Sequence, residues 1–213
     1  MKTYKIHLIR HGLTQGNYEG RYVGQKTDLP LCEEGITNLK NLILENEYPK
    51  IQKLYVSPML RCQQTADIIY SNAYTEIVDG LTEYDFGDFE NKTIAEIKDT
   101  EEFKNFIEPK DGVSMAPNGE KTSDFNNRCA KALEYVFNDM MKNDITSSAI
   151  ITHGGVIMSI LSQFSLPREN YYNWATNPGE GYTVILTPAL WQRDEGFEVY
   201  RGVPYPLCEC DEY

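Results

Sequence analysis

Two histidines and two arginines stand at the ends of predicted strands. Arg10 and His11 follow one short apolar run and precede a glycine, and His153 follows another and precedes two glycines. Arg61 comes in the first helical turn after a third run. Because the carboxyl ends of parallel strands meet at one edge of a sheet, we expect these side chains to lie close together. The glycines allow close backbone approach, and the N–H groups that begin the following helices favour an anion.

This combination of side chains suits phosphoryl transfer. Guanidinium groups match phosphate oxygens bidentately and stay charged. A neutral imidazole can attack phosphorus and form a phosphohistidine, which divides a hydrolysis into two steps, while cationic donors stabilise the transition state. The leaving alkoxide also needs a proton donor, for which Glu83 is the first candidate because it follows a weaker predicted strand. On the residues alone, other carboxylates remain open, namely Asp85, Asp88 and Glu90.

A metal site is the alternative interpretation of the histidines. His7 and His11 have a spacing that would let them share an ion on a helix, but on a strand it separates them by roughly 13 Å. Two arginines beside a cation would also repel it. We therefore expect no metal and no cofactor, and we interpret His7 as a histidine of the sheet. The Cys208 and Cys210 pair has no second pair nearby to complete a metal site.

Short apolar runs alternate with helical patterns along the chain. Strands are predicted at residues 4–10, 51–57, 75–81, 148–152 and 182–187, and helices at 35–47, 58–70, 123–142 and 156–164. In the helix at 123–142, the apolar residues follow the three-and-four spacing of one buried stripe. The alternation predicts an α/β fold with a mainly parallel, doubly wound sheet and helices on both faces.

The composition limits the class of partner. The chain has 213 residues, which favours a single domain over 1–213, and its 20 Lys and Arg against 32 Asp and Glu give a net charge of −12. So acidic a chain does not suit nucleic acids or an anionic membrane surface. No apolar run has the length of a signal peptide or a membrane helix, and the five cysteines indicate reduced thiols, so we expect a cytoplasmic protein.

We interpret residues 84–120 as a cap over the site and the tail from Arg201 as a surface extension.

Several ordered motifs carry a resemblance to a known family. They are Leu8-Ile9-Arg10-His11-Gly12-Leu13-Thr14-Gln15-Gly16-Asn17, Ser57-Pro58-Met59-Leu60-Arg61, Phe86-Gly87-Asp88-Phe89-Glu90 after Glu83, Pro117-Asn118-Gly119-Glu120, and Thr152-His153-Gly154-Gly155-Val156. In this order they resemble the histidine phosphatase superfamily, the phosphoglycerate mutase-like proteins, from residue 5 to about residue 187. The resemblance implies a three-layer α/β/α sandwich.

The resemblance also implies roles for individual residues. His11 would be the phosphorylated nucleophile, and Glu83 would be the acid that later serves as base for incoming water. The phosphate pocket would be completed by Arg10, Thr14, Asn17, Arg61, His153 and Gly154. Val23 stands where mutase-type members often have a small hydroxyl or thiol residue, and Asn91 and Asn118 stand where glycine is usual. These departures lie where the substrate would be selected.

The arginine content after the acid separates two activities within the family. Mutases of this family carry paired arginines there, whereas this chain has only Arg128 between Glu83 and His153. We therefore expect a metal-independent phosphomonoesterase that acts on a small phosphorylated metabolite, in the branch that resembles α-ribazole and broad-specificity phosphatases. The alternatives are a cofactor-dependent phosphoglycerate mutase and a catalytically silent module that binds a phosphorylated ligand. A homodimer is left open.

Overall fold

The structure is a computed structural model that describes residues 2–109 and 112–207. Its strands are β1 (Tyr4–Arg10), β2 (Asn46–Glu47), β3 (Lys53–Val56), β4 (Thr75–Ile77), β5 (Ser147–Thr152), β6 (Ser165–Leu166), β7 (Gly181–Leu186), β8 (Phe197–Val203) and β9 (Tyr205–Pro206). Its helices are α1 (Gln15–Tyr18), α2 (Glu33–Glu45), α3 (Leu60–Ile69), α4 (Ile94–Ile97), α5 (Glu101–Ile107), α6 (Thr122–Lys142), α7 (Gly154–Phe164) and α8 (Pro188–Asp194). Short 3₁₀ turns lie at Asp79–Leu81, Gly87–Phe89 and Tyr171–Trp174. Within the described ranges, no helix combines the length and the apolar composition needed to cross a bilayer.

The main sheet has seven strands in the order β4-β3-β5-β1-β7-β8-β6. The pairs β1–β5, β3–β5, β3–β4 and β6–β8 are parallel, and β7 is antiparallel to both of its neighbours. The prediction of a mainly parallel sheet is therefore confirmed. The short strands β2 and β9 pair separately as a two-stranded sheet.

The register between β1 and β5 determines where the two histidines emerge. Arg10 lies opposite Thr152, and the N–H of His11 donates to the carbonyl of Thr152 at 2.9 Å. His11 and His153 are thus the next residues on two adjacent parallel strands, and both leave the sheet at the same level. Strand β3 lies on the other side of β5, and Ser57 follows it at the same edge.

Helices cover both faces of this sheet. Side chains of β1 alternate between two cores, with Ile6 and Leu8 in one and Ile9 in the other. The first core receives the predicted stripe of α6, formed by Phe125, Cys129, Ala132, Leu133, Val136, Phe137 and Met140. On the opposite face, α3 packs through Cys62 and Ala66, and α2 lies beside it. The three-layer α/β/α arrangement is confirmed.

Two sequence interpretations need correction. Strand β4 ends at Ile77, and residues 79–81, predicted as strand, form a 3₁₀ turn that leads toward Glu83. Arg201 lies inside β8, which pairs with β7, so the interpretation of a surface tail from Arg201 is wrong. Only Phe197 and Val203 of β8 are buried, and the strand pairs with both β6 and β7, so its sequence shows no strong apolar run. The Cys208 and Cys210 pair lies outside the described residues.

The described parts of the predicted cap form a small aromatic core of their own. Phe89 and Ile97 are buried there, with further aromatic side chains packed against them. This segment is hydrogen bonded to the loop that contains Tyr22, whose N–H donates to the carbonyl of Lys92 at 2.9 Å. Its action as a cap over the site stays a prediction.

Candidate active site

His11 lies at the end of β1 with 3% of its surface exposed. Its Nδ1 is 2.7 Å from the carbonyl oxygen of Gly12. Because a carbonyl only accepts, Nδ1 must carry the proton, which leaves the lone pair of Nε2 available. Burial, together with the positive charges of Arg61 and Arg10, holds the pKa of His11 well below its usual range. The neutral imidazole therefore has its free lone pair on Nε2.

His153 follows β5 and its ring centroid lies 5.1 Å from that of His11. The Nε–H of Arg61 donates to Nδ1 of His153 at 3.2 Å, so Nδ1 accepts and Nε2 carries the proton. This Nε2 lies 2.8 Å from Oγ of Ser57, to which its N–H donates. Burial and the charge of Arg61 hold the pKa of His153 well below its usual range. Ser57, whose hydroxyl anchors this ring, was not among the predicted site residues; its place before Pro58 in the motif was the available signal.

Both predicted arginines reach the site. Arg61 is fully buried, and its guanidinium also donates to the carbonyls of Thr27 at 2.9 Å and Gly24 at 3.3 Å. Arg10 donates through Nη1 to the carbonyl of Thr176 at 2.7 Å. Within the described part of the chain, the buried Nε of Arg10 has no hydrogen-bond partner. An unpaired buried donor costs about 1–3 kcal/mol, which an anion accepting from it would offset.

Glu83 lies beside the start of α7 with 8% of its surface exposed. Its Oε1 accepts from the N–H of Tyr84 at 2.9 Å, and its Oε2 accepts from the N–H of Gly155 at 3.1 Å. Burial raises the pKa of the Glu83 carboxyl, although these two bonds and the charges of Arg61 and Arg10 act in the opposite direction. A carboxyl with a raised pKa holds its proton to higher pH and can donate it.

The competing carboxylates have other partners. Asp85 pairs with Lys26 at 3.0 Å and also accepts from a backbone N–H. Asp88 is exposed and accepts from the amide of Asn118 at 2.9 Å. Glu90 accepts from the N–H of Lys26 at 3.0 Å and from the hydroxyl of Thr27. The geometry therefore favours Glu83 over the three alternatives that the sequence left open.

The two glycines after His153 each lie against a site residue, and one of them makes room for it. A Cβ added at Gly154 would lie 3.5 Å from Nε of Arg10, so this guanidinium rests against the first residue of α7. A Cβ added at Gly155 would lie 2.4 Å from Oε1 of Glu83. Gly155 thus admits Glu83 to the N-terminal end of α7, where backbone N–H groups favour negative charge, whereas a side chain at Gly154 would meet Arg10 at ordinary contact distance.

Replacing Gly155 by alanine should displace the Glu83 carboxyl, because a contact of 2.4 Å is too short for any real Cβ. A misplacement near 1 Å in a reacting group costs about 10²-fold, so we expect kcat/KM for an alkyl phosphate ester to fall by about that factor. Gly202→Ala is the matched control, since a Cβ there meets only the carbonyl of Gly181 at 3.8 Å. A folded Gly155→Ala protein with undiminished activity would show that this carboxyl position is not required.

Thr14 and Asn17 lie in the chain just beyond His11. The Thr14 hydroxyl is the N-cap of α1, accepting from the N–H of Asn17 at 3.3 Å and donating to its side-chain oxygen at 2.9 Å. The structure therefore shows a capping contact for this pair, and phosphate binding by it stays a prediction. His7 is buried in the sheet, 2.9 Å from the hydroxyl of Thr183 and 3.3 Å from that of Ser147.

The asparagines that replace expected glycines keep the backbone shape that glycine would allow. Asn91 has φ 63° and Asn118 has φ 57°, both in the left-handed region. Asparagine tolerates this region better than most residues. Val23 is buried with 7% exposure, and it fills space against Gly16 instead of offering a hydroxyl or thiol.

These features together define an α/β protein with a cluster of two arginines, two histidines and one buried glutamate at the carboxyl edge of its parallel strands. Among the five central side chains, burial lowers the pKa of both histidines and raises the pKa of Glu83, so the positive charge comes from Arg10 and Arg61. The family profile of the histidine phosphatase superfamily (branch 1) matches residues 6–193. The chain belongs to this superfamily, and the resemblance found in its motifs is confirmed.

Relatives with different activities share this fold. Sedoheptulose 1,7-bisphosphatase of Saccharomyces cerevisiae is 26% identical over 172 residues, which span 69% of this chain and 62% of that protein, less than two thirds of its length. Adenosylcobalamin/alpha-ribazole phosphatase of Escherichia coli is 25% identical over 181 residues, 82% of this chain and 86% of that protein. A crystal structure of phosphoglycerate mutase from Thermus thermophilus is 27% identical with a TM-score of 0.65, covering 95% of this chain and 99% of that one. These similarities support a phosphatase or mutase activity for this chain.

Proposed function

We propose that the protein hydrolyses a small phosphate monoester through a phosphohistidine on His11. In the first step, Nε2 of His11 attacks phosphorus, the N–P bond forms and the ester P–O bond breaks. The carboxyl of Glu83 gives its proton to the departing alkoxide oxygen. Arg10 and Arg61 bind the phosphoryl oxygens, and His153, whose Nδ1 accepts from Arg61 and whose Nε2–H bonds to Ser57, orients the Arg61 guanidinium.

The second step releases phosphate. A water molecule takes the position that the alcohol has left, and the Glu83 carboxylate removes its proton as the oxygen attacks phosphorus. The N–P bond then breaks, inorganic phosphate forms, and both His11 and Glu83 return to their starting protonation states. One carboxyl can serve as acid and then as base because each step leaves it in the form that the next requires.

The observation that carries this proposal is geometric: the ring of His11 lies 5.1 Å from that of His153, and the Glu83 carboxyl is bonded to the N–H of Gly155, two residues further along the chain. From ordinary values of 6.5 for histidine and 4.5 for glutamic acid, a neutral imidazole and a protonated carboxyl would seldom coexist. Burial lowers the pKa of His11 and raises the pKa of Glu83, and each direction favours the form that the proposed step requires. Opposite shifts of this kind are typical of paired nucleophiles and acids.

The contacts of Arg128 favour a phosphatase over a mutase. A mutase must hold a second anionic group of its substrate and retain a bisphosphorylated intermediate, which needs additional cations. Arg128 is the only arginine between Glu83 and His153. Its guanidinium is already hydrogen bonded to Glu120 and to backbone carbonyls, including that of Glu83 at 2.8 Å. It is therefore poorly placed to bind a substrate carboxylate or second phosphate.

A product assay separates the two activities. With chelator present, we expect the purified protein to release inorganic phosphate from p-nitrophenyl phosphate and from members of a phosphate-ester panel. With 3-phosphoglycerate and a 2,3-bisphosphoglycerate primer, phosphate should form faster than the 2-phosphoglycerate isomer. Isomer formation much faster than phosphate release would overturn the phosphatase proposal, and loss of hydrolysis with chelator would contradict metal independence. A folded protein with no hydrolysis of any ester would favour a silent binding module.

The proposed substrate is a small phosphorylated metabolite, because the net charge of −12 disfavours extended polyanions while the buried Arg61 and the partly buried Arg10 suit one phosphate group. A cytoplasmic location is likewise proposed, on the grounds that Cys32, Cys62 and Cys129 are free thiols.

A further inference from the structure

Arg128 connects helix α6 to the backbone that carries Glu83. This half-buried side chain lies in the second turn of α6, stacked over the ring of Phe125 with its Cζ 4.8 Å from the ring centroid. Its Nη1 donates to the carbonyls of Thr82 at 2.5 Å and Gly80 at 3.2 Å. Its Nη2 donates to the carbonyl of Glu83 at 2.8 Å. One guanidinium therefore holds the backbone on the approach to Glu83 and at Glu83 itself.

Glu120 completes the arrangement from the other side. Its two carboxylate oxygens accept from Arg128, Oε1 from Nη2 at 2.7 Å and Oε2 from Nε at 3.1 Å. The same Oε1 accepts from the N–H of Asp85 at 2.8 Å. The backbone carbonyl of Glu120 accepts from the hydroxyl of Tyr84 at 2.5 Å. The ion pair thus contacts the chain both before and after Glu83.

We propose that Arg128, oriented by Glu120, is the positioning residue for the proton-donating carboxyl of Glu83. This inference rests on the proposed function, in which Glu83 protonates the leaving group. Residues 82–86 belong to no helix or strand, so their backbone needs side-chain partners to keep one conformation. Arg128 bonds to the main-chain oxygen of Glu83, while the carboxyl itself is held by the N–H groups of Tyr84 and Gly155. Arg128 therefore acts through the backbone and not as a counter-ion of the carboxyl.

Lysine cannot reproduce these contacts. A planar guanidinium presents several donors in a rigid fork, whereas an ammonium is a single charged point. One Nζ cannot reach the carbonyls on one side and both oxygens of Glu120 on the other. Arg128→Lys should therefore retain the charge and lose most of the positioning.

The test compares two esters that differ in their need for a proton. The phenolate that leaves from p-nitrophenyl phosphate is stable without protonation, whereas an alkoxide leaving from glycerol phosphate is not. In Arg128→Met, we expect kcat/KM for glycerol phosphate to fall by about 10²-fold, with a loss for p-nitrophenyl phosphate that is smaller by about tenfold or more. Arg128→Lys should change the ratio of kcat/KM between the two esters in the same direction but by a smaller factor. Guanidinium ion added to Arg128→Met should partly restore that ratio.

Lys53→Met is the matched control. Lys53 is buried and pairs with Asp139 of the same helix α6 at 2.7 Å, but it lies at the start of β3, away from the strand ends that carry the site. Its loss should lower thermal stability and leave the ratio between the two esters unchanged. An equal loss for both esters in folded Arg128→Met and Arg128→Lys would overturn the positioning role. If Arg128→Met does not fold, Glu120→Gln, which removes one acceptor for Arg128, must shift the ratio in the same direction or the inference fails.

Glu83→Gln distinguishes a failure of the proposed mechanism from a failure of the positioning role of Arg128. If Glu83→Gln leaves the ratio between the esters unchanged, Glu83 is not the acid and the proposed mechanism fails. If Glu83→Gln changes the ratio and the Arg128 variants do not, the mechanism stands and the role of Arg128 alone is refuted.

Discussion

Replacing His11 by alanine should lower kcat/KM for every phosphate ester by on the order of 10⁴-fold or more, because the substitution removes the nitrogen that forms the N–P bond in the proposed mechanism. The protonated Nδ1 of His11, bonded to the carbonyl of Gly12, directs the free lone pair to Nε2. Incubation with labelled substrate should give an acid-labile phosphoprotein in the parent chain and none in His11→Ala.

The control for this prediction is the other histidine of strand β1. His7 is buried between Thr183 and Ser147, and burial lowers its pKa to about 4, so it stays neutral as His11 does. His7→Ala should destabilise the protein and leave phosphoprotein formation intact. Full hydrolysis by His11→Ala, or the absence of any acid-labile intermediate in the parent protein, would remove the phosphohistidine from the mechanism.

Glu83→Gln should lower kcat/KM for an alkyl phosphate ester by about 10²–10⁴-fold, the usual contribution of a general acid. The amide keeps the size of the side chain but has no proton to give. For p-nitrophenyl phosphate the loss in kcat/KM should be much smaller, because the leaving phenolate needs no proton.

The pH dependence of kcat/KM gives a second measurement on the same variant. Glu83 is active when protonated, so activity toward an alkyl ester should fall as pH rises through its raised pKa. His11 is active when neutral, so activity should also fall as pH drops through its pKa, which lies well below 6.5. In Glu83→Gln the fall at higher pH should disappear and the fall at lower pH should remain. A parent profile without a fall on the alkaline side, or one that Glu83→Gln leaves unchanged, would contradict the assignment.

The central elements of the fold could be predicted because their patterns match their environments. Strand β1 was predicted at its observed bounds, since its buried apolar residues end at Arg10, and the apolar stripe of α6 has the period of a helix packed on one side. Strand β8 could not be predicted in this way. Its exposed side chains make no apolar run, and it is a strand because β7 offers it backbone partners, which depends on the rest of the fold.

At the site, the sequence placed the strand-end residues well and the loop residues poorly. His11 and His153 could be brought together from topology alone, because parallel neighbours end at one edge. The choice among Glu83, Asp85 and its other acidic neighbours depended on burial and on bonds to distant residues. The role inferred for Arg128 could not be predicted from the sequence either, since its partners here are backbone carbonyls 45 to 48 positions away in the chain.

The pairing of β1 with β5 has a consequence for how this protein can change. The distance between its two imidazoles follows from the hydrogen-bonded ladder between adjacent strands, with Arg10 opposite Thr152, and not from any loop. Since side chains alternate along a strand, one residue inserted within β5 would point His153 to the opposite face, whereas insertions in 84–120 would leave the pair untouched. Loops around the site can therefore change in length and composition without altering the spacing of the two imidazoles, whereas the position of Glu83 depends on such a loop.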